Sequence, residues 1–137
     1  MSATATALAG YIVWTILLIF LMIAYRAKLV VSDKHSVVFK PDGTDADSLC
    51  YRITRAHANC VESAVFVVGT LVLSLAVGAQ SVTDPLAMWL LYARLFQSVI
   101  HMISGATWAI GLRGLAFFVQ LVICGYWLIE LLTGVAK

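Results

Sequence analysis

Charge is scarce in this chain of 137 residues: Asp, Glu, Lys and Arg together make up 12%, and none of them occurs before Arg26. The net charge of +2 is small and scattered, which excludes nucleic acid as a partner. Hydrophobic residues reach 62% and mean hydropathy is +0.96, well above the roughly 45–50% apolar content of a soluble domain. Cysteine is sparse too. Cys50, Cys60 and Cys124 form no CxxC and no Cys/His ligand spacing, and an odd number cannot all pair within one chain. The sequence therefore predicts neither a metal centre nor a disulfide framework, and the three thiols read as small packing residues. No basic residue precedes the first apolar run, which argues against a cleaved signal peptide. Linker-like composition is also missing, so a single domain is expected.

What is present is four long apolar stretches, each sufficient to cross a hydrocarbon core about 30 Å thick. They predict an all-α integral membrane protein, a four-transmembrane-helix bundle with spans at about 8–26, 56–79, 86–104 and 114–133. Arg26 and Lys28 close the first span. The segment from Ser32 to Ser48, with Pro41, Gly43 and four aspartates, reads as an aqueous loop, with Asp47 or Ser48 capping the second helix. Gln80 to Pro85 reads as a short break with Thr83 or Asp84 as N-cap and Pro85 at the first helical position. Gly105 to Gly111 reads as a turn or a loosened helix end before the last span. Arg26, Lys28, Lys34 and Lys40 surround the first loop and Arg113 the third, whereas the second loop has no Lys or Arg and the termini offer only Lys137. The positive-inside rule then puts the first and third loops in the cytoplasm and both termini on the opposite side.

The few charges that do occur are arranged. At roughly 100° per residue, Arg55, Asn59 and Glu62 lie about 300°, 340° and 280° round from Arg52, so the four share an arc about 80° wide where the second helix enters the apolar region. Two cations, an amide and a carboxylate on one stripe suit a small zwitterionic ligand. In the third span Arg94, Gln97 and His101 repeat the i, i+3, i+7 spacing of Arg52, Arg55 and Asn59. Arg26, Arg52 and Glu130 stand near span ends, where a long side chain reaches the interface by itself. Arg94 does not: it lies nine residues, roughly 14 Å of rise, inside Pro85. A charge at that depth costs on the order of 2.5–3.5 kcal/mol unless it is paired, and Glu62 on the neighbouring helix is the expected partner. His101 reads equally as a core histidine or a ligand contact. Arg113, between Gly111 and Gly114 at the expected start of the last helix, reads as a membrane anchor or as part of an anion site.

The pattern Arg52-x-x-Arg55-Ala56-x-x-Asn59-Cys60-x-Glu62 resembles the signature of the membrane-associated proteins in eicosanoid and glutathione metabolism (MAPEG), in particular their glutathione-transferase and leukotriene-synthase branches. Arg94-x-x-Gln97-x-x-x-His101 and Arg113 are similar to the family's later motifs, and the resemblance spans essentially the whole chain. It implies a homotrimer binding glutathione as co-substrate between adjacent subunits, with hydrophobic small-molecule electrophiles arriving from the lipid bilayer. By that resemblance Arg55, Asn59 and Glu62 hold the peptide, Arg26 and Arg52 add charge at the entrance, Arg94, Gln97 and His101 line the site, and Arg113 stabilises the thiolate. Eicosanoid-producing relatives carry tyrosines at the positions of Gln97, His101 and Phe117, so general transferase or peroxidase activity is the implied chemistry. A non-catalytic lipid-binding or activator protein of the same fold is the alternative. A small four-helix transporter ranks last, because the first span contains no acidic residue.

Overall fold

The computed structural model describes residues 1–32 and 35–134; Asp33, Lys34, Val135, Ala136 and Lys137, and with them the Lys34 and Lys137 parts of the orientation argument, lie outside the described residues. The described chain is four helices: α1 (Ala3–Ser32), α2 (Ser48–Ala76), α3 (Gln80–Ile103) and α4 (Thr107–Thr133). All four are long and apolar enough to cross a membrane. Even α3, with 24 residues, rises about 36 Å and exceeds the hydrocarbon thickness.

Helix α1 packs its backbone against α2 and α3, whereas α4 packs on α3 and touches α2. Tyr11, Leu71, Leu90, Cys124 and Trp127 meet in the buried core. Gly10 lets α1 approach α3, since a Cβ there would come within 2.7 Å of Leu91 Cδ2. The outer faces remain apolar, with Phe20, Val65, Trp89 and Phe118 exposed, as expected where lipid or a partner replaces water.

The α2–α3 turn corrects the expected break at Gln80–Pro85. Gly78, at φ +71°, ends α2 in a Schellman motif: its N–H donates to Leu75 O (3.3 Å) and Ala79 N–H to Ser74 O (2.9 Å). The next helix starts at once at Gln80, so Pro85 sits inside α3, and the N-cap is Ala79 rather than Thr83 or Asp84. Those two side chains have other work. Asp84 Oδ1 accepts from the backbone N–H of Thr4 (2.7 Å) and from its hydroxyl (2.6 Å), capping α1 from across the bundle. Thr83 Oγ1 joins Thr4 Oγ1 (2.6 Å) and Ser74 Oγ (2.8 Å) in a buried hydroxyl cluster. Three helix ends are thereby tied together.

At the other end the expected cap is found: Asp47 precedes α2 and its Oδ1 accepts from Cys50 N–H (2.7 Å). Its Oδ2 accepts from the Tyr25 hydroxyl (2.6 Å), fastening α2 to the end of α1. The Tyr25 hydroxyl, helped by the Cys50 N–H and opposed by burial, holds the Asp47 carboxyl below its usual range. A depressed folded-state value means that the stabilisation is complete above the ordinary carboxylate pKa and is lost as pH falls through the folded one. Asp47→Ala is therefore expected to cost about 1 kcal/mol at neutral pH. The gap between the melting curves of the two proteins should close in acid; a gap that persists there would assign the loss to something other than the ionised cap.

Candidate functional site

The Asp47 cap sets the start of α2 so early that its first two turns extend beyond the apolar stretch. There the α2 start, the α3 end and the α4 start enclose a cleft of about 540 Å³. Ser48, Tyr51, Arg52 and Arg55 line it from α2, His101 from the end of α3, Gly105 from the α3–α4 connection, and Ile110 and Arg113 from α4. His101 is two residues from the end of α3 and Arg113 six from the start of α4, or about 3 Å and 9 Å of rise.

The α4 boundary corrects a second expectation. The helix begins at Thr107, not after Gly111, because only Ser104–Ala106 intervene after α3; Ser104 Oγ accepts from Ala106 N–H (3.1 Å) in the tight connection. Arg113 consequently lies in the second turn, with its backbone N–H already inside the helix. Its side chain, not a helix N-terminus beside it, supplies the positive charge to the cleft. Arg52 is held by its Nε, which donates to Met102 O (3.0 Å) across to the end of α3.

One turn deeper lies a layer of uncharged polar groups around Arg94. This arginine is completely buried. The expected Glu62–Arg94 pair is not present: Arg94 Nη1 donates to Asn59 Oδ1 (2.7 Å), Nη2 donates to the Ser63 hydroxyl, and the guanidinium stands 5.6 Å from the centre of the Tyr11 ring. Glu62 projects outward on α2 and meets Arg55 instead, at 4.0 Å, with side-chain exposures of 62% and 39%. The reason is helical phase. Ser63 and Asn59 sit on the side of α2 that faces α3, while Glu62 is about 100° away from Ser63. Amide and hydroxyl dipoles take the place of a carboxylate around the guanidinium.

The layer continues into α4. Gln97 Nε2 also donates to Asn59 Oδ1 (3.0 Å), and Gln120 Nε2 donates to Gln97 Oε1 (2.9 Å) and to Ala116 O (2.8 Å). Gln120, Ser63 and Tyr11 are absent from the residues singled out by sequence. A glutamine in the middle of an apolar span was the available signal for Gln120, since a polar side chain at that depth requires a partner. Tyr11 donates its hydroxyl to Cys60 O (2.8 Å) and lies 3.0 Å from Ser63 Oγ. Cys60 itself is fully buried with Sγ 3.5 Å from Ser98 Oγ, and all three cysteines are free.

Arg26 stands apart from the cleft of its own chain. Its Nη2 donates to Thr54 Oγ1 (3.2 Å) and its guanidinium lies 5.1 Å from the Phe39 ring centre, under the α1–α2 loop. Of the residues singled out by sequence, the fold thus gathers Arg52, Arg55, His101 and Arg113 round one cleft, places Asn59, Arg94 and Gln97 beneath it, and leaves Glu62 on the outer face. Such a cleft is cationic, half-open and bordered by one accessible carboxylate. Among the described residues no group of His, Cys, Asp and Glu is arranged to hold a metal ion.

A comparison with curated proteins and one with solved structures each return no match. The sequence model of the MAPEG family matches residues 4–133, nearly the whole chain. With its four apolar helices packed as one membrane bundle, this chain belongs to the MAPEG family.

Proposed function

We propose that the cleft binds glutathione and that the protein is a glutathione-dependent transferase, also able to reduce hydroperoxides, acting on lipophilic electrophiles from the bilayer. The observation that carries this reading is the convergence of Arg52, Arg55, His101 and Arg113 from three helices on one cleft near the helix ends. Glutathione has two carboxylates, one ammonium and a thiol. Arg52 and Arg55 match the carboxylates, Glu62 the ammonium, and Arg113 the sulfur. A thiol of pKa about 8.5 is a weak nucleophile at neutral pH, and an adjacent guanidinium raises its ionised fraction. The thiolate then forms the sulfur–carbon bond to the electrophilic carbon as either the bond to a leaving group breaks and that group departs with the electron pair, or the π bond of a conjugated acceptor breaks and the resulting anion takes a proton from water.

The exposed position of Glu62 on a membrane helix supports assembly as a homotrimer in which a neighbouring subunit covers this face and glutathione lies between the two. Arg26 then acts at the entrance, contributed from α1. The cleft and the first and third loops face the cytoplasm by the positive-inside rule, with both termini opposite. An apolar groove of about 360 Å³ on α3 and α4, lined by Trp89, Tyr92, Phe96, Leu112, Leu115 and Val119, offers a seat for a lipophilic substrate. The same groove favours a second reading, a non-catalytic lipid-binding or activator protein.

Titration of the detergent-solubilised protein with glutathione, followed by the ultraviolet absorbance of bound thiolate, separates the two. Saturable binding with a thiolate band at neutral pH is expected. Absence of glutathione binding would remove the enzyme reading and leave the lipid-binding one.

A further inference from the structure

The α1–α2 loop is closed at its neck by one imidazole. His35 N–H donates to Leu29 O (3.2 Å), which hooks the residue onto the last turn of α1, and the ring then reaches two carbonyls. Nδ1 lies 2.8 Å from Ser36 O and Nε2 lies 2.9 Å from Asp45 O, ten residues further on. A carbonyl oxygen can only accept, so both ring nitrogens must carry protons to satisfy both contacts. Either neutral tautomer would set two lone pairs against each other at one of them. The loop conformation therefore belongs to the imidazolium. The Asp45 carboxylate, whose Oδ2 accepts from Lys40 N–H (2.9 Å), favours the same cation from within the loop, and the Arg26 guanidinium is the opposing charge on α1. The Asp45 carbonyl and then the Ser36 carbonyl hold the His35 pKa above its ordinary value, against the effect of desolvation.

What the ring holds in place is the wall of a groove. The imidazole stacks on Phe39, with ring centres 4.4 Å and planes 6° apart, and the Arg26 guanidinium lies 5.1 Å from the centre of the same Phe39 ring. Val37, Val38 and Phe39 form one side of a groove of about 560 Å³, and Ile23, Arg26 and Val30 of α1 form the other. We propose that His35 is a pH-operated clamp: as imidazolium it closes the α1–α2 loop and holds Phe39 against Arg26, and on losing its proton it loosens that side of the groove. One of the two ring bonds survives in either neutral tautomer, so the loop is slackened and not cast off. A group whose folded-state pKa is raised contributes fully below its ordinary value and ceases to contribute as pH rises through the folded one. The loop is thus closed in mild acid and looser in mild alkali. The clamp acts without a ligand and stands apart from the glutathione reading.

Hydrogen exchange of segment 36–46, measured by mass spectrometry on the full chain in detergent and compared with His35→Gln, tests the clamp between about pH 5.5 and about 8.5. The ratio of the two proteins at each pH removes the intrinsic pH dependence of exchange. The amides of Lys40, Gly43 and Ala46, all hydrogen-bonded within the loop, are the reporters. With His35 present they are expected to exchange about tenfold more slowly at the acid end, the worth of one charge-assisted hydrogen bond. The ratio should fall towards one at the alkaline end. The His35 ring, followed by nuclear magnetic resonance in the unsubstituted protein, should titrate above its ordinary value and at the pH where the ratio falls. Should His35→Gln not fold, His35→Asn is compared in its place. A ratio constant with pH, a ratio close to one throughout, or a ring that titrates at or below its ordinary value would each overturn the clamp.

Discussion

Arg113→Ala is expected to abolish the thiolate absorbance of bound glutathione at neutral pH and to lower kcat/KM about 10²–10³-fold, the range seen when one preorganised charge-stabilising donor is removed. Ionisation alone accounts for part of this. A neighbouring cation lowers a pKa by 1–3 units; a glutathione thiol brought from about 8.5 to about 6.5 is mostly thiolate at pH 7, against a few per cent without the cation, a ratio of about 25. The rest comes from fixing the charge beside the sulfur in a partly desolvated cleft. The pH–rate profile carries the sharper signature. In the unsubstituted protein the rate should already be near its plateau at neutral pH, whereas in Arg113→Ala it should climb with pH towards the free thiol's pKa and recover much of the loss. Arg113→Lys should stand between them, since it retains the charge but not the planar fork. A thiolate band that survives in Arg113→Ala would move the activating role to Arg52 or Arg55, the other guanidiniums of the same cleft.

Arg94→Ala is expected to destabilise the bundle by about 3–5 kcal/mol, from the loss of two charge-assisted hydrogen bonds, the contact with the Tyr11 ring and the volume of a fully buried side chain. The cost of placing a cation at this depth does not offset the loss in full. Arg94 lies nine residues from the end of α3, about 14 Å, and in an unpacked helix it would be at similar depth without Asn59 and Ser63 to receive it. Arg94→Lys should recover only part of the loss, because it retains the charge but not the planar guanidinium fork whose two nitrogens reach Asn59 and Ser63 separately. Denaturation in mixed micelles, followed by tryptophan fluorescence, measures the difference. A stability of Arg94→Ala within about 1 kcal/mol of the unsubstituted protein would mean that the polar layer contributes no more than surface pairs do. The two arginines are thus expected to separate by readout: on the proposed function Arg113→Ala changes the thiolate signal with little effect on folding, and Arg94→Ala changes the stability of the bundle.

Much of the architecture was legible because a bilayer leaves a chain few choices. Backbone polar groups cannot remain unpaired in hydrocarbon, so apolar runs of this length must be helices, and four runs produced four helices. The Asp47 cap was legible for a similar local reason, a carboxylate directly before a helical run. The boundaries of α3 and α4 were not. Thr83, Asp84 and Pro85 look like a helix start, yet the Schellman turn at Gly78 had already begun α3, and Asp84 is engaged at the start of α1. Nothing in the immediate sequence reports a partner 80 residues away.

The pairing of the buried charges shows the same division. Sequence by itself determined that Arg52, Arg55, Asn59 and Glu62 share one narrow stripe and that Arg94 is too deep to reach water, because helical periodicity and rise are local properties. It could not determine which neighbour would face Arg94, since that depends on the rotation of α2 against α3 and on what α4 adds. Packing turned Asn59 and Ser63 inward and Glu62 outward, and brought in Gln120 from a span whose polar residue had no role in the linear pattern. A hydroxyl and a carboxylate one residue apart, Ser63 and Glu62, end on different faces of the same helix, and only the tertiary structure decides which of them meets the cation.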